Sequence, residues 1–296
     1  MGDQIEPGVH ELTFAQYLAL PALSRSGLKI LTQETPADFV YYLEHGTTET
    51  GAMRFGSAAH CALLEPERFA REYLTFPHEV NNKAKHTHAD EETGEPIWGR
   101  IDRDNFIESM KAMGRTVVSP EELAKAKSIA REVRSRAAVQ LLFKGGHAER
   151  CVVWKDQATG LLCKAKPDWW DIDRGVYVDL KNTSDLSDQF LGKSLINHGI
   201  DLQFAMLAQA CRALDLPVPN TNVVLWARTT KRVDCRAELL GTDVLARGHR
   251  LYRSALETYA RCDKAGEWPG EPTTIQTRSL PRWAAIQEQK AEESAA

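Results

Sequence analysis

The chain has 296 residues, enough for a sizeable core, and its 43% hydrophobic and 26% charged residues are ordinary for a globular protein. No apolar run approaches the roughly 18–20 residues that span a bilayer, and the opening MGDQIEPGVHELTF lacks the apolar stretch of a secretory signal. The net charge is −4, unlike a simple electrostatic binder of nucleic acid, and the six cysteines are scattered without a C-x-x-C pair, which argues against a zinc knuckle, a disulfide framework or a cysteine-held cluster.

The N-terminal third reads as mostly helical. Ser24 or Ser26 caps a short helix through Leu31, and Pro36 suits the first turn of a second, ADFVYYLEH, ending at Gly46. A third helix is expected over about 51–64, rich in small residues (Gly56, Ser57, Ala58, Ala59). Residues 77–99 are polar, hold three histidines and TGEP, and read as a mobile loop. Ser119-Pro120-Glu121-Glu122 is a good helix start, with Ser119 at the N-cap and Glu122 at the third position; that helix should run to about 138. It carries the cationic run 125–136, with five cations and one acid. A second run, 228–236, has four and one. Such runs contact phosphates in some proteins, but a solvated face is their commoner meaning.

The period changes in the middle of the chain. AERCVVWKD, LLCKAKPDWWDI and GVYVDLKNT are rich in strand formers and separated by turn residues at 158–160 and 173–175, which reads as a three-stranded antiparallel meander. Helices follow over about 186–197 and 201–215. Two more strands, TNVVLWART and RVDCRAELL, are joined by a turn at Thr230-Lys231, and Thr242 opens a long helix to about 262. The expected fold is α/β or α+β, with a central mixed, mostly antiparallel sheet flanked by helices. A single domain is expected over 1–285, made of a helical N-terminal region (1–140), a sheet core (147–240) and a helix (242–264). Residues 286–296 form a polar tail.

In GVYVDLKNT, Val176, Val178 and Leu180 point one way and Tyr177, Asp179 and Lys181 the other. The preceding strand brings Asp168, just after Pro167, toward the same edge. Two carboxylates and a lysine on adjacent strands suit metal-assisted phosphodiester hydrolysis, because carboxylate oxygens are the ligands Mg²⁺ prefers. Lys181 would orient the attacking water or stabilise developing charge. D/E-x-K alone is weak, and recurs at Glu288-Gln289-Lys290; the plain alternative for Asp179 and Lys181 is a surface salt bridge worth under about 1 kcal/mol. Pro167-Asp168 on the neighbouring strand favours the site. Trp169, Trp170 and Tyr177 flank it; strand aromatics more often pack than stack on bases.

With SRSGLKIL, GSAAHCALLEPERF, GHAERCVVW, TGLLCKAKPD, VDLKNT and SLPRWA occurring in this order, the chain resembles the RecE-type exonuclease domain (exodeoxyribonuclease VIII), a phage and prophage branch of the PD-(D/E)XK nuclease superfamily. The resemblance runs from Pro7-Gly8-Val9 to Leu280-Pro281-Arg282-Trp283. It implies that His60 lies near the metal, that Glu149 at the opening of the first strand binds a second metal, and that Leu180 lends its backbone carbonyl. Gln203 resembles a helix glutamine used near the site, although Leu207 stands where a tyrosine usually follows. By the same resemblance the cofactor is Mg²⁺, with Mn²⁺ as a substitute. The substrate is a double-stranded DNA end, digested 5′ to 3′ to leave a 3′ overhang. The expected assembly is a ring-shaped homo-oligomer, a trimer or tetramer, working with a single-strand annealing protein of the RecT type in the cytoplasm of a bacterial host. Competing readings are a single-strand or structure-specific nuclease, an inactive fold that binds DNA or a partner, and an unrelated α/β protein.

Overall fold

The computed structural model describes residues 5–48, 50–230 and 232–295. A short strand β1 (Gly8–His10) leads into α1 (Phe14–Ala19), whose start is a capping box between Thr13 and Gln16. In α2 (Arg25–Gln33) Ser24 is the N-cap, although its hydroxyl makes no capping bond. Helix α3 (Pro36–His45) begins with a Thr35–Asp38 box and stops at Gly46, in the φ +67 conformation that glycine tolerates. Helix α4 spans Gly51–Leu64 and buries its small residues Ala58, Ala59 and Ala62. Pro66 then starts a separate α5 (Pro66–Glu72).

Residues 77–99 are not the loop expected from their polarity. After β2 (Tyr73–Leu74), they build a small sheet in which β5 (Pro96–Trp98) lies between β3 (Glu79–Val80) and β4 (His88–Ala89). Trp98 packs on Phe76 and on Phe106, the latter from α6 (Arg100–Ala112), so the stretch borrows its apolar partners from outside itself. Asp90 Oδ1 accepts from the backbone N–H of Glu92 (3.1 Å) and Thr93 (2.8 Å) and fixes the connecting turn. Strand β6 (Thr116–Val117) pairs with β2. Helix α7 (Pro120–Arg134) opens with the Ser119–Glu122 box, but Arg136 is extended at ψ 124, so the helix expected to reach 138 breaks into α7 and α8 (Ala137–Leu142).

The remaining elements are β7 (His147–Ala148), β8 (Cys151–Lys155), β9 (Leu162–Ala165), β10 (Trp169–Asp171), β11 (Val176–Thr183), α9 (Asp188–Asn197), α10 (Ile200–Ala213), β12 (Thr221–Arg228), β13 (Asp234–Leu239), α11 (Thr242–Ala265) and α12 (Arg282–Ala295). Of the turn expected at Thr230-Lys231, Lys231 lies outside the described residues. The meander does not form as expected. Segment 161–172 divides at Lys166-Pro167-Asp168: β9 pairs with β8 in a sheet ordered β1-β8-β9, whereas β10 pairs with β11 in a sheet ordered β13-β12-β11-β10-β7. Pro167 has no N–H to continue a ladder, so one sequence run serves two sheets. Strands β11 and β12 are parallel and the other pairs of the large sheet antiparallel.

The large sheet is buried on both faces. Val176, Val178, Leu180, Val223 and Leu225 pack on α4 and α7, while Tyr177, Val224 and Trp226 pack with residues of α2, α10 and α11. Period-two alternation thus feeds two cores. Part of the cationic runs is engaged internally: Asp234 is within 4 Å of the guanidinium groups of Arg136, Arg228 and Arg232, and Arg134 donates to the Leu63 carbonyl. No helix among the described residues is long and apolar enough to cross a membrane.

Candidate metal centre and active site

Asp179 sits in the middle of β11, beneath α10, and is 0% exposed. A charge so placed is costly unless paired. Lys181 Nζ lies 2.7 Å from its Oδ1 and 2.6 Å from its Oδ2, and Gln203 of α10 donates Nε2–H to Oδ1 at 2.5 Å. This is a buried constellation, not a surface salt bridge. Burial pushes the Asp179 carboxyl up, against the pull of Lys181. Leu207, one turn beyond Gln203, is 1% exposed in the core, so Gln203 reaches Asp179 without help from that position.

A second group forms across the backbone of Leu180. Asp168, directly after the strand-breaking Pro167, accepts the Leu180 N–H at 2.7 Å through Oδ2. His60 Nδ1, from α4, is 3.7 Å from the same oxygen. Glu149 does not open a strand as expected. It lies between β7 and β8 at φ +57, with its N–H donated to the Asp168 carbonyl at 3.2 Å. Non-glycine residues in this region carry strain and cluster at functional sites. Gly146, at φ +91, lets β7 approach β10: a Cβ there would lie 2.7 Å from Asp171 Cα. One donor atom each from His60, Glu149 and Asp168 lie within 4.8 Å of one another. Asp179 is outside that group, but its charge and that of Lys181 both reach His60.

The electrostatics of the second group are those of crowded carboxylates. Burial, and then the charge of Asp168, raise Glu149 to about 7, while Lys166 pulls the other way. Burial, and then the charge of Lys181, lower His60 to about 4, so its imidazole is neutral near pH 7 and has a lone pair to offer. Carboxylate oxygens, an imidazole and a neighbouring backbone carbonyl are a donor set that fits a divalent cation, which would relieve the repulsion.

Two features of the site carry no signal in the sequence. Lys166, two residues before Asp168, pairs with Glu149. A cleft of about 450 Å³ beside Lys181 is lined by Arg25, His60, Asn182, Phe190 and His198. Arg25 belongs to the segment SRSGLKIL, but nothing local marks it as facing a site; α2 must pack beside α9 before its Nη1 can donate to the His198 carbonyl at 3.0 Å. The aromatic residues of this region mostly pack: Trp170 and Tyr177 are each 1% exposed, and Trp169 sets its edge against Phe143 at 5.0 Å between centroids.

Residues 24–279 match the family described as a PDDEXK-like domain of unknown function (DUF3799). The crystal structure of a presumptive exonuclease from Eubacterium rectale superposes with a TM-score of 0.58, covering 95% of this chain and 99% of that one at 15% sequence identity. Likeness at that identity speaks for a shared fold. Among curated proteins none matches significantly.

Proposed function

The chain belongs to the PDDEXK-like domain family, a nuclease fold, and on that premise we propose that it is a magnesium-dependent exodeoxyribonuclease that digests linear duplex DNA from the 5′ end. The observation that carries this reading is the pairing of the buried Asp179–Lys181–Gln203 constellation with the His60, Glu149 and Asp168 donors across one residue, Leu180. Asp168, Asp179, Glu149, His60 and the Leu180 carbonyl would hold Mg²⁺, with Mn²⁺ as a substitute. When bound, the ion supplies Lewis-acid stabilisation of charge at the scissile phosphate and makes water a better nucleophile. Lys181, held by Asp179, presents an ammonium group to the developing negative charge. Gln203 fixes the orientation of Asp179, and His60 stays neutral to ligate.

The cleft lined by Arg25, Lys181 and His198 supports a phosphodiester substrate, since guanidinium and ammonium groups there match a DNA backbone. Direction of digestion, a ring-shaped homo-oligomer and an annealing partner rest on the RecE-type resemblance. The test is digestion of a linear duplex labelled at either end, with Mg²⁺ or EDTA, alongside Asp179→Ala. Early loss of the 5′ label, abolished by EDTA and by the substitution, is the expected result. Cleavage that persists in Asp179→Ala would remove the site; parallel digestion of nicked circles and single strands separates the structure-specific alternative.

A further inference from the structure

A second hollow, a groove of about 360 Å³, opens beside the His60 and Asp168 donors. Leu63, Leu64, Phe143 and Trp169 form most of its walls, with Arg134 and Gln140 as the polar members. Both walls lead out of the donor group: Leu63 and Leu64 lie about one turn of α4 beyond His60, and Trp169 follows Asp168 directly. The Lys181 cleft borders β11 and β12 instead and carries the cations Arg25 and Lys181. One hollow therefore suits phosphates, while the other is aromatic and apolar.

The groove also holds hydrogen-bonding capacity that the protein does not use. Trp169 Nε1 is buried and has no acceptor, although a buried indole N–H usually finds one. Arg134 donates to the Leu63 carbonyl through Nε at 2.8 Å and also through Nη2, which fixes its guanidinium in the wall. Gln140 Nε2 donates to the Arg134 carbonyl at 3.0 Å, so its amide oxygen is left as an acceptor. Flat apolar surfaces combined with N–H donors and one amide acceptor describe a site for a planar ring with a polar edge. A nucleobase has that form, and every base has a face to lay on such a surface, so binding there is tolerant of sequence. We propose that the groove receives the base of a nucleotide next to the scissile phosphate, drawn out of the duplex stack while its phosphate stays at the metal centre. Trp169 is then a substrate contact as well as a packing residue. The proposal rests on the nuclease reading of the preceding subsection.

The test uses a linear duplex in which one internal nucleotide of the digested strand is abasic, with Mg²⁺ and the full-length protein. Digestion is followed at single-nucleotide resolution and compared with the intact duplex at the same positions. The wild-type protein is expected to slow about 10-fold at one register from the abasic residue, the effect of losing one base from an aromatic surface. Gln140→Trp, which fills the groove from an exposed position, should slow digestion of the intact duplex to the abasic rate and so abolish the difference. Trp169→Phe keeps a ring but loses the N–H, and should shrink the difference by about 3-fold, an ordinary hydrogen bond. A residue that only packs would change both substrates alike and leave their ratio untouched. Equal rates for the two duplexes in the wild-type protein, or a pause undiminished in either variant, would overturn the proposal. If an added deoxynucleoside monophosphate inhibits the wild-type protein but not Gln140→Trp, and no abasic pause occurs, the groove holds released product and the proposal falls. Failure of the wild-type protein to digest either duplex would instead strike the nuclease reading itself. Melting temperatures show whether each variant is folded when its rates are read.

Discussion

Gln203 Nε2 lies 2.5 Å from Asp179 Oδ1, so a helix on one face of the sheet holds the carboxylate that a strand of that sheet supplies. The contact joins residues 24 positions apart and gives Asp179 a neutral donor besides Lys181. Removing it should loosen the carboxylate without emptying the site. Gln203→Ala is expected to lower the rate of duplex digestion by about 10–100-fold, the usual effect of losing a group that orients a ligand. The melting temperature should change little. Equal rates in variant and wild type, measured at saturating Mg²⁺, would remove the orienting role.

For His60 the expected effect is on ion affinity. His60→Ala should weaken Mn²⁺ binding by about 10–100-fold, and raising the metal concentration should restore much of the activity. Calorimetric titration reads the affinity directly. A variant that binds Mn²⁺ as tightly as the wild type would place His60 outside the ligand set.

Acid stability should depend on Asp156. It is 5% exposed, and accepts from Thr159 N–H (2.9 Å), Thr159 Oγ1 (2.8 Å), Tyr252 Oη (3.1 Å) and the Arg253 guanidinium. Burial works to raise its carboxyl, but the hydrogen bonds from Arg253 and Thr159 outweigh it and hold the group below the usual range. A depressed folded-state pKa stabilises the fold above the unfolded value, about 3.9 for aspartate, and that contribution is lost as pH falls through the folded value. Denaturant midpoints should therefore drop more steeply below about pH 4 in the wild-type protein than in Asp156→Asn. Near pH 7 the variant should be less stable by about 1–3 kcal/mol. Parallel pH profiles for the two proteins would refute the assignment.

Helices α10 and α11 cross at a point that admits no side chain. A Cβ on Gly248 would lie 2.0 Å from the Asp201 carbonyl oxygen. Gly248→Ala should destabilise the protein by about 3 kcal/mol, at the upper end of ordinary overpacking, as read by urea unfolding. Since α10 also carries Gln203, digestion should slow as well. A variant of wild-type stability would show that the two helices can separate freely.

If phosphate contacts supply most of the affinity for DNA, digestion at limiting DNA should slow as salt rises, with little dependence on sequence. A rate independent of ionic strength between about 50 and 200 mM salt would contradict that view of the cleft.

What short-range chemistry controls can be read directly from the order of residues. Ser119, Pro120 and Glu122 fix the start of α7 because a cap needs only its own first turn. Alternation from Val176 to Lys181 fixes which side chains share a face of β11, because strand period is a property of the local backbone. The proline at 167 was equally visible, but its consequence was not: whether β9 and β10 continue one strand or enter two sheets depends on which partners stand beside them.

The rest came from long-range packing. It buried Asp179 under α10, turned Glu149 at φ +57 toward Asp168, set Lys166 against it, and brought His60 from α4 across more than 100 residues of chain. It also drew Trp98 onto Phe106 and so ordered a stretch that composition alone marks as loop. Each of these depends on sheet order and on the packing of distant elements. No window of sequence around any one of these residues holds that information, because the energy of each contact resides in a partner far away along the chain.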